Sequence, residues 1–366
     1  MTSRERNFMP WVLPALFAAA AARPLSQALV NRRRRLRGPR TISELTHPII
    51  GGIPQAVQIR GQDVTNPILL WLHGGPGFPM MPFAHAVQSA WEHHYTIVHW
   101  DQRNSGKTLA RNGVGAGSLD RHVEDGLELS QQLRQRFPGV PIILVGHSWG
   151  TAIAVEMLRR APDHFAAYLA IGQVSDFIAA ERYGYERVSQ EAQQLGARRI
   201  VKRLQRISAY PFGNTLTPDA VSQVRSAYIQ LRFMHHRTRF VMARLLWLAF
   251  QSPDYSWREL ATLLNRRAGE ASMSMALQEL PTIYERARGA QIDCPVIMVA
   301  GARDLFTPTP VARQFFDTLE APDKEFVEME NLAHVGPFED AAFFDTLLIE
   351  RLKPSLRDEE PTQPCL

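Results

Sequence analysis

Seven short, mostly apolar runs recur along this chain, and they restrict the choice of fold more than any other feature. Most of them hold four to six consecutive apolar residues, which is the pattern of strands that helices cover on both faces. Segments with helical spacing of apolar residues separate the later runs. The alternation predicts an α/β fold with a doubly wound, mostly parallel sheet. The candidate strands are residues 56–61, 67–75, 95–101, 141–148, 167–173, 295–301 and 324–330.

One long interruption divides this pattern. Between residues 174 and 290 strand signals are few, and arginine, glutamine and bulky apolar residues are frequent. An insert between two core strands that covers a site is a common form of lid, so we expect a helical cap here. In the core, helices are predicted at 121–137, 152–161, 310–319 and 340–352. The predicted organisation is an N-terminal segment (1–43), a core (44–173 and 291–353), the cap (174–290) and a C-terminal tail (354–366).

The positive charge is concentrated in two of these regions. The chain of 366 residues has a formal net charge of +5. Residues 1–43 contribute +8 and residues 174–290 contribute +7, so the remainder carries −10. A nucleic-acid-binding protein needs a basic face with elements that read or stack on bases, and no motif of that kind occurs. We therefore expect a small-molecule or short-peptide substrate and no nucleic acid.

Cysteine and histidine give no sign of a metal or a cofactor. The two cysteines, Cys294 and Cys365, lie far apart and form no CxxC or Cys/His spacing. No histidine pair has the i, i+4 spacing with a nearby glutamate that a zinc-binding helix uses. We expect no disulfide framework, no metal and no cofactor. The oligomeric state has no signal in the sequence.

The N-terminal segment has three explanations. Residues 8–22 are apolar but fall short of the ~20 residues that a membrane-spanning helix needs, and six arginines follow between residues 32 and 40. A short anchor or interfacial helix with its arginines on the cytoplasmic side would contact a membrane through residues 8–22. A cleaved targeting segment and a helix packed on the rest of the protein are the alternatives. The location therefore stays open between cytoplasmic and membrane-associated.

The stretch GHSWGT, residues 146–151, has the pattern of a nucleophile on a sharp turn. It follows an apolar run and precedes a helical segment. Glycines at 146 and 150 remove side chains where the backbone of such a turn is crowded, and the serine between them is lifted clear of the sheet. Ser148 is therefore the candidate nucleophile. Its neighbour His147 is expected to point away from it, in a packing or hydrogen-bonding role.

The acid and the base are expected after later strands, because in this arrangement the chain order is serine, acid, histidine. Asp304 follows the run 295–301 by a short loop, at the edge where open α/β sheets keep their sites. His334 directly follows the run 324–330, where one ring nitrogen can accept the serine proton while Asp304 holds the other. Asp293 and Asp317 are weaker candidates, since one precedes the strand and the other lies in a helix.

Backbone N–H groups are expected to hold a negatively charged intermediate beside the serine. Trp149 follows the nucleophile and supplies one of them. The loop LHGGPG, residues 72–77, follows an early strand, and its glycines permit close approach of the backbone to a substrate. We predict Gly75 as the second donor, because Pro76 has no N–H to donate.

Five motifs together resemble the proline iminopeptidase branch of the α/β-hydrolase family over roughly residues 44–352. They are HGGPG (73–77), DQRNSGKT (101–108), GHSWGT (146–151), GARDLFTP (301–308) and AHVGPFE (333–339). The resemblance implies an α/β-hydrolase fold, a triad of Ser148, His334 and Asp304, an oxyanion hole at Gly75 and Trp149, and reaction through an acyl-enzyme. It also implies that Asp101 and Arg103 brace the oxyanion loop.

Two features depart from this family pattern. His147 stands where the family's aminopeptidases often have glycine, and the cap carries +7 where those enzymes bind the substrate's amine with carboxylates. Glu181 and Glu186 are the candidates for that amine anchor. The leading expectation is a proline iminopeptidase-like aminopeptidase, and an esterase, lactonase or amidase is the alternative.

Two further hypotheses involve no chemistry. A ligand-binding module on the same fold would not require the complete serine, aspartate and histidine set. A membrane-bound interaction protein would depend on its N-terminal segment and not on a triad. Haloalkane or epoxide chemistry is disfavoured, because in this fold it uses a carboxylate nucleophile where this chain has Ser148.

Overall fold

The computed structural model describes the backbone of residues 9–212, 216–233 and 241–352, and within these ranges the side chains from residue 21 onward except at 241 and 242. The predicted C-terminal tail, with Cys365, lies outside the described residues. So do residues 1–8, at the start of the predicted N-terminal segment.

The strands form one large sheet and one small hairpin. They are β1 (Ile42–Thr46), β2 (Ile49–Ile50), β3 (Ile53–Pro54), β4 (Val57–Gly61), β5 (Ile68–Leu72), β6 (Thr96–Trp100), β7 (Ile142–His147), β8 (Ala167–Ile171), β9 (Val296–Gly301) and β10 (Lys324–Met329). The eight-stranded sheet has the order β1–β4–β6–β5–β7–β8–β9–β10, and β2 pairs with β3. β4 runs antiparallel to β1 and β6, whereas the other neighbours are parallel. The prediction of a mostly parallel sheet is confirmed.

All seven predicted strands are present, and β1 is the one strand of the large sheet that the pattern missed. Every residue of β5, β6, β8 and β9 is buried, as expected for strands between two layers of helices. β1, in contrast, lies at the sheet edge, and its positions are either exposed or half-buried. Its sequence ISELT therefore contains no apolar run. The predicted start of the core at residue 44 falls inside this strand.

Helices cover both faces of the sheet. Several begin at a side chain that accepts a hydrogen bond from the first helical turn, such as Ser118, Asp176 and Asn265. The helices are α1 (Met9–Arg33), α2 (Met81–Ala84), α3 (Gly106–Asn112), α4 (Leu119–Arg136), α5 (Trp149–Arg160), α6 (Phe177–Gln194), α7 (Arg198–Gln205), α8 (Pro218–Gln230), α9 (Val241–Gln251), α10 (Trp257–Ala261), α11 (Arg266–Ala287), α12 (Thr309–Thr318) and α13 (Ala341–Thr346), which a π-helical stretch, Leu347–Leu352, continues.

The insert between β8 and β9 is helical in its described residues and has an apolar cluster of its own. Helices α6 to α11 follow one another there. Val188, Leu204, Val221 and Tyr228 are among the buried residues of this cluster, which also takes in Leu305 from the loop after β9. The cap therefore packs directly on the loop that carries the candidate acid.

The N-terminal helix α1 lies against the end of α9 and the segment that follows it. Arg23 donates to the carbonyl of Phe250 at 3.0 Å, and Gln27 donates to the carbonyl of Ser252 at 2.7 Å. Arg34 makes two bonds to the carboxylate of Asp254, at 2.6 and 2.7 Å. From residue 21 onward, α1 is thus placed as the packed-helix alternative expects. The described part of the chain has no helix long and apolar enough to cross a membrane.

Candidate active site

Ser148 lies on a sharp turn between β7 and α5. Its φ of 52° is positive, a conformation that side chains other than glycine rarely adopt, and its N–H donates to the carbonyl of Ile171 at 2.9 Å. A Cβ at Gly150 would lie 2.1 Å from the carbonyl oxygen of Leu72, and a Cβ at Gly146 would lie 2.9 Å from the Cα of Thr151. Both glycines are therefore required by the packing of the turn.

A continuous series of hydrogen bonds joins the three predicted triad residues. The Oγ of Ser148 lies 3.0 Å from Nε2 of His334, and Nδ1 of the same ring lies 2.8 Å from Oδ2 of Asp304. The three residues follow β7, β9 and β10, whose carboxyl ends meet at one edge of the parallel sheet. The structure thus brings them together in the geometry that transfers a proton from serine to histidine.

The carboxylate of Asp304 is fully enclosed and fully hydrogen-bonded. Its Oδ1 accepts the N–H groups of Phe306 and Thr307, at 2.8 and 3.1 Å, and its Oδ2 accepts the Thr307 hydroxyl at 2.6 Å. Burial by itself would raise the pKa of Asp304, but the attraction of His334 and the hydrogen bonds from His334 and Thr307 outweigh it and lower this pKa. The carboxylate is therefore ionised at neutral pH and fixes the orientation of the imidazole.

Two side chains hold the loop that carries His334. Glu339 accepts the N–H groups of Ala333 and Val335, at 3.1 and 3.2 Å. His147 donates from Nε2 to the carbonyl of His334 at 2.8 Å. Sequence reasoning gave Glu339 no role. Its position five residues after His334, at the end of the motif AHVGPFE, was the signal in the sequence that could have identified it.

His147 supports the site as a neutral ring. Burial of this ring, followed by the proximity of His334, lowers the pKa of His147 to about 4. Nε2 bonds a main-chain carbonyl and not the serine oxygen. The side chain thus acts on the base by holding its backbone, while Ser148 bonds the imidazole of His334 alone among the histidines of the described chain.

The predicted oxyanion residues lie at the wall of the cavity that contains Ser148. Gly75 and Trp149 both line it, and Trp149 is the first residue of α5, whose N–H has no acceptor within the helix. Gly75 has a φ of 119°, and a Cβ there would lie 2.5 Å from the nitrogen of Gly77. The loop therefore needs glycine at this position, which leaves its backbone open to the cavity.

The oxyanion loop is braced by neighbours of the predicted residues. Gln102 donates from its side chain to the backbone carbonyl of His73 and from its own backbone N–H to Nε2 of the His73 ring, both at 3.2 Å. Ser105 lies 3.0 Å from that nitrogen. Asp101 instead accepts bonds from Tyr255 and from the N–H of Lys107, and Arg103 bonds Asp125 and the carbonyl of Gly51. The hydrogen bonds of Asp101 and Arg103 thus go to the cap, to α3 and α4 and to the β2–β3 hairpin, and the direct contacts with the oxyanion loop come from Gln102 and Ser105.

A cavity of about 360 Å³ lies between this edge of the sheet and the cap. Core loops contribute the triad serine and histidine, and the cap contributes apolar side chains such as Phe177, Met273 and Leu280. Among the described residues that line it, none is acidic, and Arg225 of α8 is the only lysine or arginine. The cavity is thus a mostly apolar chamber with one permanent cation.

The two predicted amine anchors do not reach this cavity. Glu181 is buried, with 2% of its surface exposed, and its carboxylate accepts a bond from Arg225 at 2.8 Å and another from the hydroxyl of Tyr210. Glu186 is exposed on α6 and does not line the cavity. The structure therefore separates both glutamates from Ser148, and it places Arg225 where a carboxylate was expected. Sequence reasoning missed Arg225, because the cap holds many arginines and nothing local distinguishes this one.

No group of three or more histidine, cysteine, aspartate or glutamate residues in the described part of the chain is arranged to hold a metal ion. Cys294 is buried, with 4% of its surface exposed, and it does not line the cavity.

Comparisons with known proteins agree with this architecture. The family model of the alpha/beta hydrolase fold matches residues 67–341. The probable aminopeptidase YbaC of Bacillus subtilis (strain 168) is 29% identical over 304 residues, covering 82% of this chain and 93% of the relative. The solved proline iminopeptidase of Mycobacterium smegmatis has a TM-score of 0.58 at 19% identity, and the alignment covers 87% of this chain and 99% of that one. The solved 2-hydroxy-6-oxo-6-phenylhexa-2,4-dienoate hydrolase of Rhodococcus sp. strain RHA1 has a TM-score of 0.59 at 16% identity. That alignment covers 86% of this chain and 99% of the other.

Proposed function

The chain belongs to the α/β-hydrolase family, and we propose that it is a serine hydrolase that cleaves small ester or amide substrates through an acyl-enzyme on Ser148. The observation that carries the proposal is the hydrogen-bonded series from Asp304 through His334 to Ser148, whose serine end lies in a mostly apolar cavity. A nucleophile, a base and a group that orients the base are the parts that acyl transfer needs.

The first half of the reaction forms the acyl-enzyme. Oγ of Ser148 attacks the substrate carbonyl carbon while its proton passes to Nε2 of His334, and Asp304 stabilises the imidazolium that results. The negative charge moves to the carbonyl oxygen, where the N–H groups of Gly75 and Trp149 stabilise it. The intermediate then expels the alcohol or amine, which takes the proton from His334.

The second half releases the acid. A water molecule gives one proton to His334 and attacks the acyl carbon, so that a second tetrahedral intermediate forms at the same oxyanion site. When it collapses, Ser148 recovers its proton from His334 and the carboxylic acid leaves. The net reaction adds one water to one ester or amide bond.

Two observations bear on the substrate, and they favour different candidates. Relatedness to a probable aminopeptidase favours cleavage of an N-terminal residue, which requires an anchor for the free amine. The cavity favours an ester or amide without a free amine, because Arg225 repels an ammonium group and Glu181 is already bonded to Arg225. On the geometry, the esterase or amidase form is the better supported of the two.

The proposed chemistry is tested by labelling with a fluorophosphonate, which reacts with activated serines. We expect the wild-type protein to be labelled at Ser148 and Ser148→Ala to remain unlabelled. Ser175, which also lines the cavity, provides the matched control, since Ser175→Ala should keep the label. A wild-type protein that resists labelling would remove the basis for the hydrolase proposal.

The two substrate candidates are separated by comparing a proline arylamide with a short acyl aryl ester. We expect faster turnover of the ester. Efficient cleavage of the arylamide, abolished by Glu181→Gln while ester turnover persists, would instead establish the aminopeptidase form.

A further inference from the structure

We propose that the guanidinium of Arg225 is the recognition group of the cavity and selects substrates that carry a carboxylate. The inference rests on the proposed function in one respect, which is that the selected molecule is an ester or amide that acylates Ser148. It concerns the part of the substrate that does not react.

Arg225 lies at the same end of the cavity as the base. It projects from α8 and lines the chamber that contains Ser148 and His334. Its guanidinium carbon lies 5.4 Å from the centre of the Phe306 ring. That ring in turn stacks on His334, with 4.5 Å between ring centres. A substrate with its carbonyl at Ser148 and an anionic group a few bonds away therefore reaches the guanidinium.

The guanidinium has bonding capacity left for a ligand. A guanidinium has five N–H donors, and Glu181 engages Nη2 at 2.8 Å. Within the described residues, Nε of Arg225 and the hydroxyl of Tyr228 are buried without a hydrogen-bond partner, so the polar group is incompletely satisfied by the protein. Because 23% of the Arg225 side chain is exposed and the side chain lines the cavity, a carboxylate in the cavity can accept a hydrogen bond from a guanidinium N–H that Glu181 does not engage.

The charged surroundings favour an anion over a cation. Among the residues that the structure describes, Glu181 is the one acidic side chain that bonds Arg225, and it lies outside the cavity. Burial lowers the pKa of Arg225, but the attraction and hydrogen bond of Glu181 outweigh it and raise this pKa, so the guanidinium stays charged. The cap as a whole carries +7, which attracts anionic substrates towards the chamber.

Glu181 and Tyr210 hold the arginine in place for this task. The hydroxyl of Tyr210 donates to one oxygen of Glu181, and Arg225 donates to the other. A guanidinium fixed before the substrate arrives loses less conformational entropy on binding. The alternative is a purely structural pair that joins α6 to α8, and such a pair would affect the stability of the cap and all substrates alike.

The test uses two matched pairs of esters on the full-length protein. One pair carries the charge on the acyl part: mono-4-nitrophenyl glutarate against its methyl ester. The other carries it on the leaving group: 4-acetoxybenzoate against methyl 4-acetoxybenzoate. We expect the wild-type kcat/KM to favour the acid in at least one pair by about tenfold or more, the effect of one charge-assisted hydrogen bond.

Three variants assign that preference to Arg225. The double variant Arg225→Met with Glu181→Gln leaves no buried unpaired carboxylate, and it should lose the preference through a KM that rises more for the acid than for the neutral ester. Glu181→Gln alone keeps an amide oxygen that can accept the bond from Arg225 and hold it in place, but removes the competing negative charge, and it should increase the preference. Arg187→Met, at an exposed arginine of α6, removes one cap charge elsewhere and should leave the preference unchanged.

The outcomes separate this inference from the proposed function. Absence of fluorophosphonate labelling at Ser148 would remove the function itself. Normal labelling together with equal turnover of acid and neutral ester in both pairs would overturn the inference alone, as would a double variant that slows both members equally. If the protein is labelled but turns over neither pair, the labelling rate decides: glutarate must protect Ser148 more than glutaramide does, and equal protection overturns the role of Arg225.

Discussion

Replacing Asp304 by asparagine tests the proposed proton transfer most directly, because the structure fixes how the new side chain must lie. Oδ1 of Asp304 accepts two backbone N–H groups, from Phe306 and Thr307. In Asp304→Asn this position must keep an oxygen, so the NH₂ group takes the place of Oδ2. That group then faces Nδ1 of His334, which is 2.8 Å away from Oδ2 in the native protein.

The size of the effect follows from the histidine tautomer. An NH₂ group donates, so His334 has to present a lone pair at Nδ1 and carry its proton on Nε2. Nε2 lies 3.0 Å from the serine oxygen and can no longer accept its proton. The loss of the base and of the charge that stabilises the imidazolium lowers kcat by about 10³- to 10⁴-fold, or about 4 to 5.5 kcal/mol of transition-state stabilisation.

The assay combines ester turnover with the rate of fluorophosphonate labelling, since both require an activated serine. Asp293→Asn is the matched control, because Asp293 is exposed at the other end of β9 and the same chemical change there should alter kcat by less than about twofold. The melting temperature of each variant shows whether the fold is kept. A folded Asp304→Asn protein with more than about a tenth of wild-type kcat would refute the assigned role of this carboxylate.

Three other expectations concern packing and charge. Gly150→Ala places a Cβ 2.1 Å from a backbone oxygen. It should lower the free energy of unfolding by about 1 to 3 kcal/mol or more, and the melting temperature by several degrees. Gly269→Ala, with no atom within 4 Å of its Cβ, should raise the melting temperature through a helix-propensity gain of up to ~1 kcal/mol. Arg34→Met breaks an ion pair whose side chains are 8% and 12% exposed and should cost about 3 to 5 kcal/mol in urea unfolding, while Arg40→Met, at an arginine 64% exposed, should cost under about 1 kcal/mol. Burial raises the pKa of Asp101 to about 7, so the folded protein binds this proton more tightly than the unfolded chain does. The resulting stabilisation of the fold is fully present below about pH 4 and is lost as the pH rises through about 7. Asp101→Asn should therefore gain stability relative to wild type between pH 5 and pH 8, and a constant difference in urea unfolding over that range would contradict this.

The parts of the site that follow sheet strands were predictable from local signals. The apolar runs locate β5, β7, β9 and β10, and each candidate residue lies within a few positions of the carboxyl end of its strand. Because parallel strands end at one edge, sequence position alone placed Ser148, Asp304 and His334 near each other. The glycine requirement at residue 150 is local as well, since only the turn after β7 creates that crowding.

The contacts within the cap were not predictable in this way. Glu181 and Arg225 are 44 positions apart, on helices whose mutual orientation depends on packing and not on any local pattern. The sequence shows a glutamate in a basic insert, and only the structure shows that its charge is used within the cap. The bracing of the oxyanion loop is a related case, since Gln102 performs it between the two charged residues that seemed the better candidates.

The position of α1 has a consequence for the synthesis of the chain. Arg34 emerges 220 residues before Asp254, its partner in the folded protein. At about 5 to 20 residues per second, the helix waits roughly 10 to 45 s for the segment that covers it. Throughout that interval Leu25 and Leu29 are accessible to factors bound near the ribosome exit. Even after folding these two side chains stay 66% and 48% exposed. Helix α1 is therefore made long before the segment on which it docks, and a chaperone or targeting factor that binds exposed apolar segments can meet it before the sheet is complete.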